Sequence, residues 1–138
     1  MITTVEKALF LKSVPLFAAL PGEELAELAL IAAEVDADAG EEVVREGEAG
    51  DALYLVVEGK LRVLRGGREL TRLGEREPFG EMALLDPGPR SATVRAETDV
   101  RLLRIGREEF EELLTDRPAV ARGVIAVLVR RLRETAPA

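Results

Sequence analysis

Phe79-Gly80-Glu81-Met82-Ala83-Leu84-Leu85-Asp86-Pro87-Gly88-Pro89-Arg90-Ser91-Ala92-Thr93-Val94-Arg95-Ala96 sets Glu81 and Arg90 in a frame of mostly small and apolar residues. Gly80 lets backbone approach a ligand closely, and Met82 to Leu85 is long enough for about one helical turn. The free N–H groups at the start of such a turn form an anion site. Asp86-Pro87-Gly88-Pro89 cannot continue a helix and reads as a stiff turn, which delivers Arg90 just ahead of the strand-like Ser91 to Arg95. A planar fork of donors therefore lands near the same helix N-terminus. Taken alone, Glu81 and Arg90 are equally well read as a structural ion pair with each other.

Outward from this stretch the apolar pattern has a period of two, with turn residues at short intervals. Glu41 to Arg45, Leu53 to Val57, Leu61 to Leu64, Leu70 to Leu73 and Val100 to Ile105 read as short strands. Gly66-Gly67 has the pattern of a two-residue hairpin with both central φ angles positive. Strands this short and regularly spaced predict a closed roll or barrel rather than an open sheet.

Helical spacing flanks the strands on both sides. Val5 to Lys12 reads as a short helix with Val5 and Leu9 on one face, followed by an apolar knob of Leu16, Phe17 and Leu20. Pro21 suits a first helical position, and Leu25, Leu28, Ala29 and Ala32 share a face suited to packing on a sheet. Arg107 to Leu114 reads as a helix with Phe110, Leu113 and Leu114 inward. Pro118 opens the last helix, which carries two apolar stripes: Ala121, Ile125, Leu128 and Leu132, and beside them Val120, Val124 and Val127. Either one stripe meets a partner or both are buried.

Composition narrows the chemistry. The 138 residues fit one domain, and a net charge of −7 argues against a nucleic-acid-binding face, which needs cations to neutralise phosphates. With no Cys and no His, disulfides and zinc, haem or His-based catalytic sites have no residues to build them. Arg outnumbers Lys 16 to 3, which general surface-charge usage explains as well as a need for planar donors. The N-terminus lacks a basic stretch followed by an apolar run, and Val124 to Val129 is far shorter than the roughly 18 residues of a membrane span. The expectation is a cytoplasmic protein with no membrane contact.

Phe79-Gly80-Glu81, Ala83-Leu84 and Pro89-Arg90-Ser91-Ala92-Thr93-Val94 resemble the phosphate-binding cassette of cyclic nucleotide-binding domains. These occur in catabolite-activator-type bacterial regulators, protein kinase regulatory subunits and cyclic-nucleotide-gated channels. Gly47-Glu48, Gly50-Asp51, Leu53 to Val56, Gly59, Leu61 and Val63 match the family's β-roll pattern, so the resemblance covers nearly the whole chain. It implies a mainly β fold, an eight-stranded antiparallel β-roll of the double-stranded β-helix or jelly-roll type. The single domain 1–138 divides into N-terminal helices 1–33, a roll 34–106 with the cassette at 79–96, and C-terminal helices 107–138. The family usually has Gly where Arg76 stands, so a different turn is expected between Leu73 and Phe79.

The resemblance also implies a ligand, cAMP in preference to cGMP because Ser91 follows the Arg, and no prosthetic group or metal. Arg90 would grip the exocyclic phosphate oxygens by charge-assisted bonds, and Glu81 would accept the ribose 2′-OH proton. Phe79, Gly80, Met82, Ala83, Ser91 and Ala92 would complete the cradle, with Val63 and Leu70 on the base side and Thr135 of the last helix reaching the base. The implied function is a regulatory sensor, not an enzyme, that signals to a homodimer mate or partner protein through 118–135. Alternatives are a ligand-free scaffold or dimerisation domain, or the sensor part of a transcription regulator. No helix-turn-helix follows Ala138, so direct DNA binding by this chain alone is not expected.

Overall fold

The computed structural model describes residues 1–136. Helix α1 (Thr4–Leu11) starts at a capping box in which the Thr3 hydroxyl accepts from the Glu6 N–H and the Glu6 carboxylate accepts from the Thr3 N–H. A 3-10 turn at Pro15–Phe17 leads to α2 (Gly22–Ile31), with Pro21 as its N-cap. The strands then follow: β1 (Ala33–Ala37), β2 (Glu42–Val44), β3 (Ala49–Gly50), β4 (Ala52–Glu58), β5 (Leu61–Arg65), β6 (Arg68–Leu73), β7 (Pro78–Phe79), β8 (Gly88–Pro89), β9 (Thr93–Ala96) and β10 (Val100–Gly106). Helices α3 (Arg107–Asp116) and α4 (Pro118–Thr135) close the described chain.

Eight strands build two four-stranded antiparallel sheets, ordered β1-β10-β4-β7 and β2-β9-β5-β6, as a roll requires. The remaining pair, β3 with β8, is a two-stranded clip that the sequence pattern does not announce. The β5–β6 hairpin turns on Gly66 and Gly67 at φ 56° and 79°, the left-handed pair that a two-residue loop demands.

Strand alternation divides the interior in two. Leu53, Leu55, Leu103 and Ile105 point toward the helices, where they pack with Leu11, Leu16, Phe17, Leu28, Phe110, Val120 and Val124. Their neighbours Val56, Val100 and Leu102 point into the roll, against Leu61, Val94 and Ala96. Each of the two strands thus stitches the helical layer to the roll.

The helix faces differ in part from the pattern in sequence. On α2, Leu25, Leu28 and Ala29 are buried as expected. On α1, Val5 and Leu9 are 71% and 60% exposed, and the buried residue is Leu11. The reason is that α1 spans only eight residues, and the chain turns at its end to bury Leu11 and Val14 instead. On α4 the valine stripe of Val120, Val124 and Val127 is buried, whereas Ile125 and Leu132 face outward.

A different turn between Leu73 and Phe79 does not arise. Arg76 itself takes φ 70°, the left-handed conformation a glycine adopts without strain. The loop is pinned to β4, with the Arg76 N–H donating to the Val56 carbonyl at 2.8 Å. The Arg76 guanidinium also lies 4.6 Å from the ring centroid of Phe10 on α1, a cation–π contact that offsets part of the backbone cost.

Candidate functional site

The β3–β8 clip decides where Arg90 stands. Its N–H donates to the Glu48 carbonyl at 2.7 Å, and its carbonyl accepts from the Gly47 N–H at 2.8 Å. With the backbone held at both groups, the guanidinium extends between two glycines. A Cβ on Gly50 would stand 2.7 Å from Arg90 Nε, and one on Gly80 would collide with Arg90 Nη1 and the Ala52 carbonyl oxygen. Gly80 also needs its freedom for φ 76°, which starts the 3-10 turn Glu81–Leu84.

Arg90 Nη2 donates to the Ala52 carbonyl at 3.0 Å, and among the described residues no carboxylate pairs with it. Burial lowers its pKa from the ordinary arginine value; Tyr54 and the Asp51 charge oppose that shift, and the Arg104 charge adds to it. A partly dehydrated guanidinium with no carboxylate in ion-pair distance, facing a cavity, has the chemistry to accept an anion.

Glu81 does not pair with Arg90. Its Oε2 accepts from the Leu16 N–H at 3.0 Å, and its Oε1 accepts from Arg131 Nη2 of α4 at 3.1 Å. The Glu81 side chain is only 17% exposed, so both contacts are sheltered from water. One carboxylate therefore ties the cassette to the N-terminal 3-10 turn and to the last helix.

These groups open on a cavity of about 470 Å³, within the range of small-ligand sites. Val63, Phe79, Gly80, Glu81, Met82, Ala83, Arg90, Ser91 and Ala92 all line it. Phe79 is held by stacking on Tyr54, with ring centroids 5.0 Å apart and planes at 11°. The Ser91 carbonyl accepts from Arg65 Nε at 3.0 Å, which fixes the opposite rim.

Two residues expected at the base stand elsewhere. Leu70 is 51% exposed on β6 and does not line the cavity. Thr135 is exposed at the end of α4, where its hydroxyl donates to the Leu132 carbonyl at 3.0 Å. Sequence reasoning missed Gly50, Pro15, Pro78, Asp86 and Arg131. Gly50 lies in a motif that was visible but reads as a turn. Arg131 carries no local signal, because its partner lies 50 residues away.

Mainly antiparallel sheets, flanking helices and a small-anion cradle define a ligand-binding β-roll. The family model of the cyclic nucleotide-binding domain matches residues 34–117, and the chain belongs to that family. It is 40% identical over 106 residues to a CRP-like cAMP-activated global transcriptional regulator of Mycobacterium tuberculosis, covering 73% of this chain and 47% of that protein. It is 47% identical over 100 residues to a cyclic AMP receptor protein of Thermus thermophilus, covering 69% of this chain and 46% of that one. The chain thus spans about half the length of these relatives. Among solved structures, the N-terminal domain of a transcriptional regulator from Streptomyces coelicolor A3(2) superposes with a TM-score of 0.87 at 43% identity, over 94% of this chain and 96% of that one.

Proposed function

We propose that the chain is a cyclic nucleotide sensor module, with cAMP as its ligand in preference to cGMP. The observation that carries this reading is Arg90, a partly buried guanidinium with no carboxylate partner among the described residues, facing a cavity of ligand size. Arg90 holds the exocyclic phosphate oxygens, assisted by backbone N–H groups near Gly80, Ser91 and Ala92, whereas the Ala83 N–H donates to the Gly80 carbonyl at 3.1 Å. Glu81 takes the ribose 2′-OH, and Phe79, Met82 and Val63 supply apolar surface. In this reading Leu70 and Thr135 reach the base only if ligand draws β6 and α4 inward.

Signalling runs through α4, because the carboxylate that would accept the ribose hydroxyl also accepts from Arg131 of that helix. Ligand binding and the position of α4 are then linked through one carboxylate, and the ligand favours whichever arrangement it binds better. The exposed stripe of Ile125, Val129 and Leu132 is the surface α4 presents to a homodimer mate or another protein. That stripe also suits a second reading, a dimerisation scaffold that ignores nucleotide.

In this reading the protein acts in the cytoplasm as a regulator and not as an enzyme, with no prosthetic group. Among the described residues no helix is long and apolar enough to cross a membrane. Calorimetric titration of wild type and Arg90→Ala with cAMP and cGMP tests the reading. Binding of cAMP by wild type and its loss in the variant are expected. Failure of wild type to bind either nucleotide at millimolar concentration overturns it and favours the scaffold.

A further inference from the structure

Asp86 stands at the mouth of the cavity, just beyond the 3-10 turn. Its N–H donates to the Met82 carbonyl at 2.9 Å, and Pro87, with φ fixed by its ring, limits how far the residue can swing away. The residue is exposed, and among the described residues its carboxylate has no cationic partner. The ionisable side chains lining the cavity are Arg90, Glu81 and Asp86. Glu81 is offset by Arg131, and the Asp51 and Arg104 charges that act on Arg90 offset each other at 3.6 Å, so Arg90 alone is left to match a ligand charge. It matches one negative charge, and Asp86 brings a negative charge of its own to the same cavity lining.

We propose that Asp86 selects ligands by charge, admitting phosphodiester monoanions and disfavouring phosphomonoester dianions at the same cavity. The inference rests on the nucleotide reading above. A phosphomonoester loses its second proton near pH 6 and is largely dianionic at neutral pH, whereas a cyclic diester keeps a single charge. Linear nucleotides, the products of opening the cyclic ester, carry the same base and sugar. Asp86 adds a distinction by charge to whatever the ring geometry supplies.

The charge mechanism makes a quantitative demand on Asp86→Asn. Removing one unit of negative charge strengthens binding in proportion to the ligand's own charge. If cAMP gains a factor f, a dianion gains about f squared. Competition titrations at pH 7.5 and low salt would compare cAMP, 5′-AMP and adenosine 5′-(methyl phosphate), an open-ring monoanion, on wild type and Asp86→Asn. We expect f of about two to five for cAMP and the methyl ester, about four to twenty-five for 5′-AMP, and smaller gains in high salt. Equal gains for all three ligands, or none, overturn the inference. It falls as well if 5′-AMP stays undetectable in both proteins at millimolar concentration, because ring geometry then suffices. Those outcomes presuppose that wild type binds cAMP; if it does not, the nucleotide reading itself has failed.

Discussion

Arg90 and the pair Arg62 and Arg72 are the same residue type in opposite situations. Arg62 and Arg72 stand on the outward face of β5 and β6, within 3.1 to 3.5 Å of Glu69 and Glu97. Their side chains are 43% and 54% exposed, so water competes for most of that network, although Arg62 Nε is buried. Arg90 sits between two glycines against a carbonyl, partly dehydrated, and among the described residues no carboxylate makes an ion pair with it, Asp51 acting only from further off. A matched arginine on a surface is largely interchangeable, whereas an unmatched one in a cavity is a site. Residue type alone does not separate the two cases.

The sharpest way to break this contrast is Arg90→Ala. Affinity for cAMP should fall about thirtyfold to several-hundredfold, as loss of a charge-assisted bidentate contact worth on the order of 2–4 kcal/mol predicts. The thermal midpoint should hardly move, since a partly desolvated, unpaired cation contributes little to folding. A large fall in midpoint with affinity intact would make Arg90 structural.

Glu81→Gln comes next. It replaces a charged acceptor in a sheltered place, where such hydrogen bonds are worth about 1.5–3 kcal/mol, so cAMP binding should weaken on the order of tenfold to a hundredfold. The variant should also discriminate less against 2′-deoxy-cAMP. Equal discrimination in wild type and variant would remove Glu81 from the ribose.

Gly50→Ala tests whether space, rather than charge, places Arg90. The backbone at Gly50 accepts alanine, but the new Cβ would stand 2.7 Å from Arg90 Nε. Forced repacking of this kind costs about 1–3 kcal/mol, so affinity should drop roughly tenfold. The drop should vanish in an Arg90→Ala background, which isothermal titration of the double variant would show.

Arg72→Ala supplies the opposite pole. Its stability change should stay within about 0.5 kcal/mol in denaturant unfolding, with nucleotide affinity unchanged. Smallest of all is Asp38→Asn. Asp38 has a raised pKa because Glu41 and Asp99 crowd it with like charge. Its ionised form therefore opposes folding above that pKa, and protonation removes the penalty as pH falls. The variant should melt slightly higher than wild type at pH 7, and the difference should disappear below the ordinary aspartate pKa.

Much of the architecture was legible because it is written in local periods. Alternating residues of β4 and β10 must face opposite sides, and Gly66-Gly67 can close only a tight hairpin, so strands and turn follow from spacing. Val5 and Leu9 misled because an apolar face on a short helix states an affinity for burial without saying what covers it. Arg76 misled because left-handed backbone reads as glycine, whereas here a contact with Phe10 from another element helps hold the arginine there.

The same division runs through the site. The cassette residues from Phe79 to Ala92 lie close together in the chain, so their types and spacing already pointed to an anion cradle with Arg90 at its centre. Leu70 and Thr135 depended on how far β6 and α4 lean over the cavity, and that distance is a property of packing. What Glu81 bonds was also beyond the sequence, since Leu16 and Arg131 meet it from opposite ends of the chain. Chain-local chemistry determined what this protein can hold. Only the tertiary structure decided that, among the described residues, Arg90 would have no carboxylate in ion-pair distance and that Glu81 would be tied to the last helix, because both outcomes depend on which distant groups packing brings within hydrogen-bond reach.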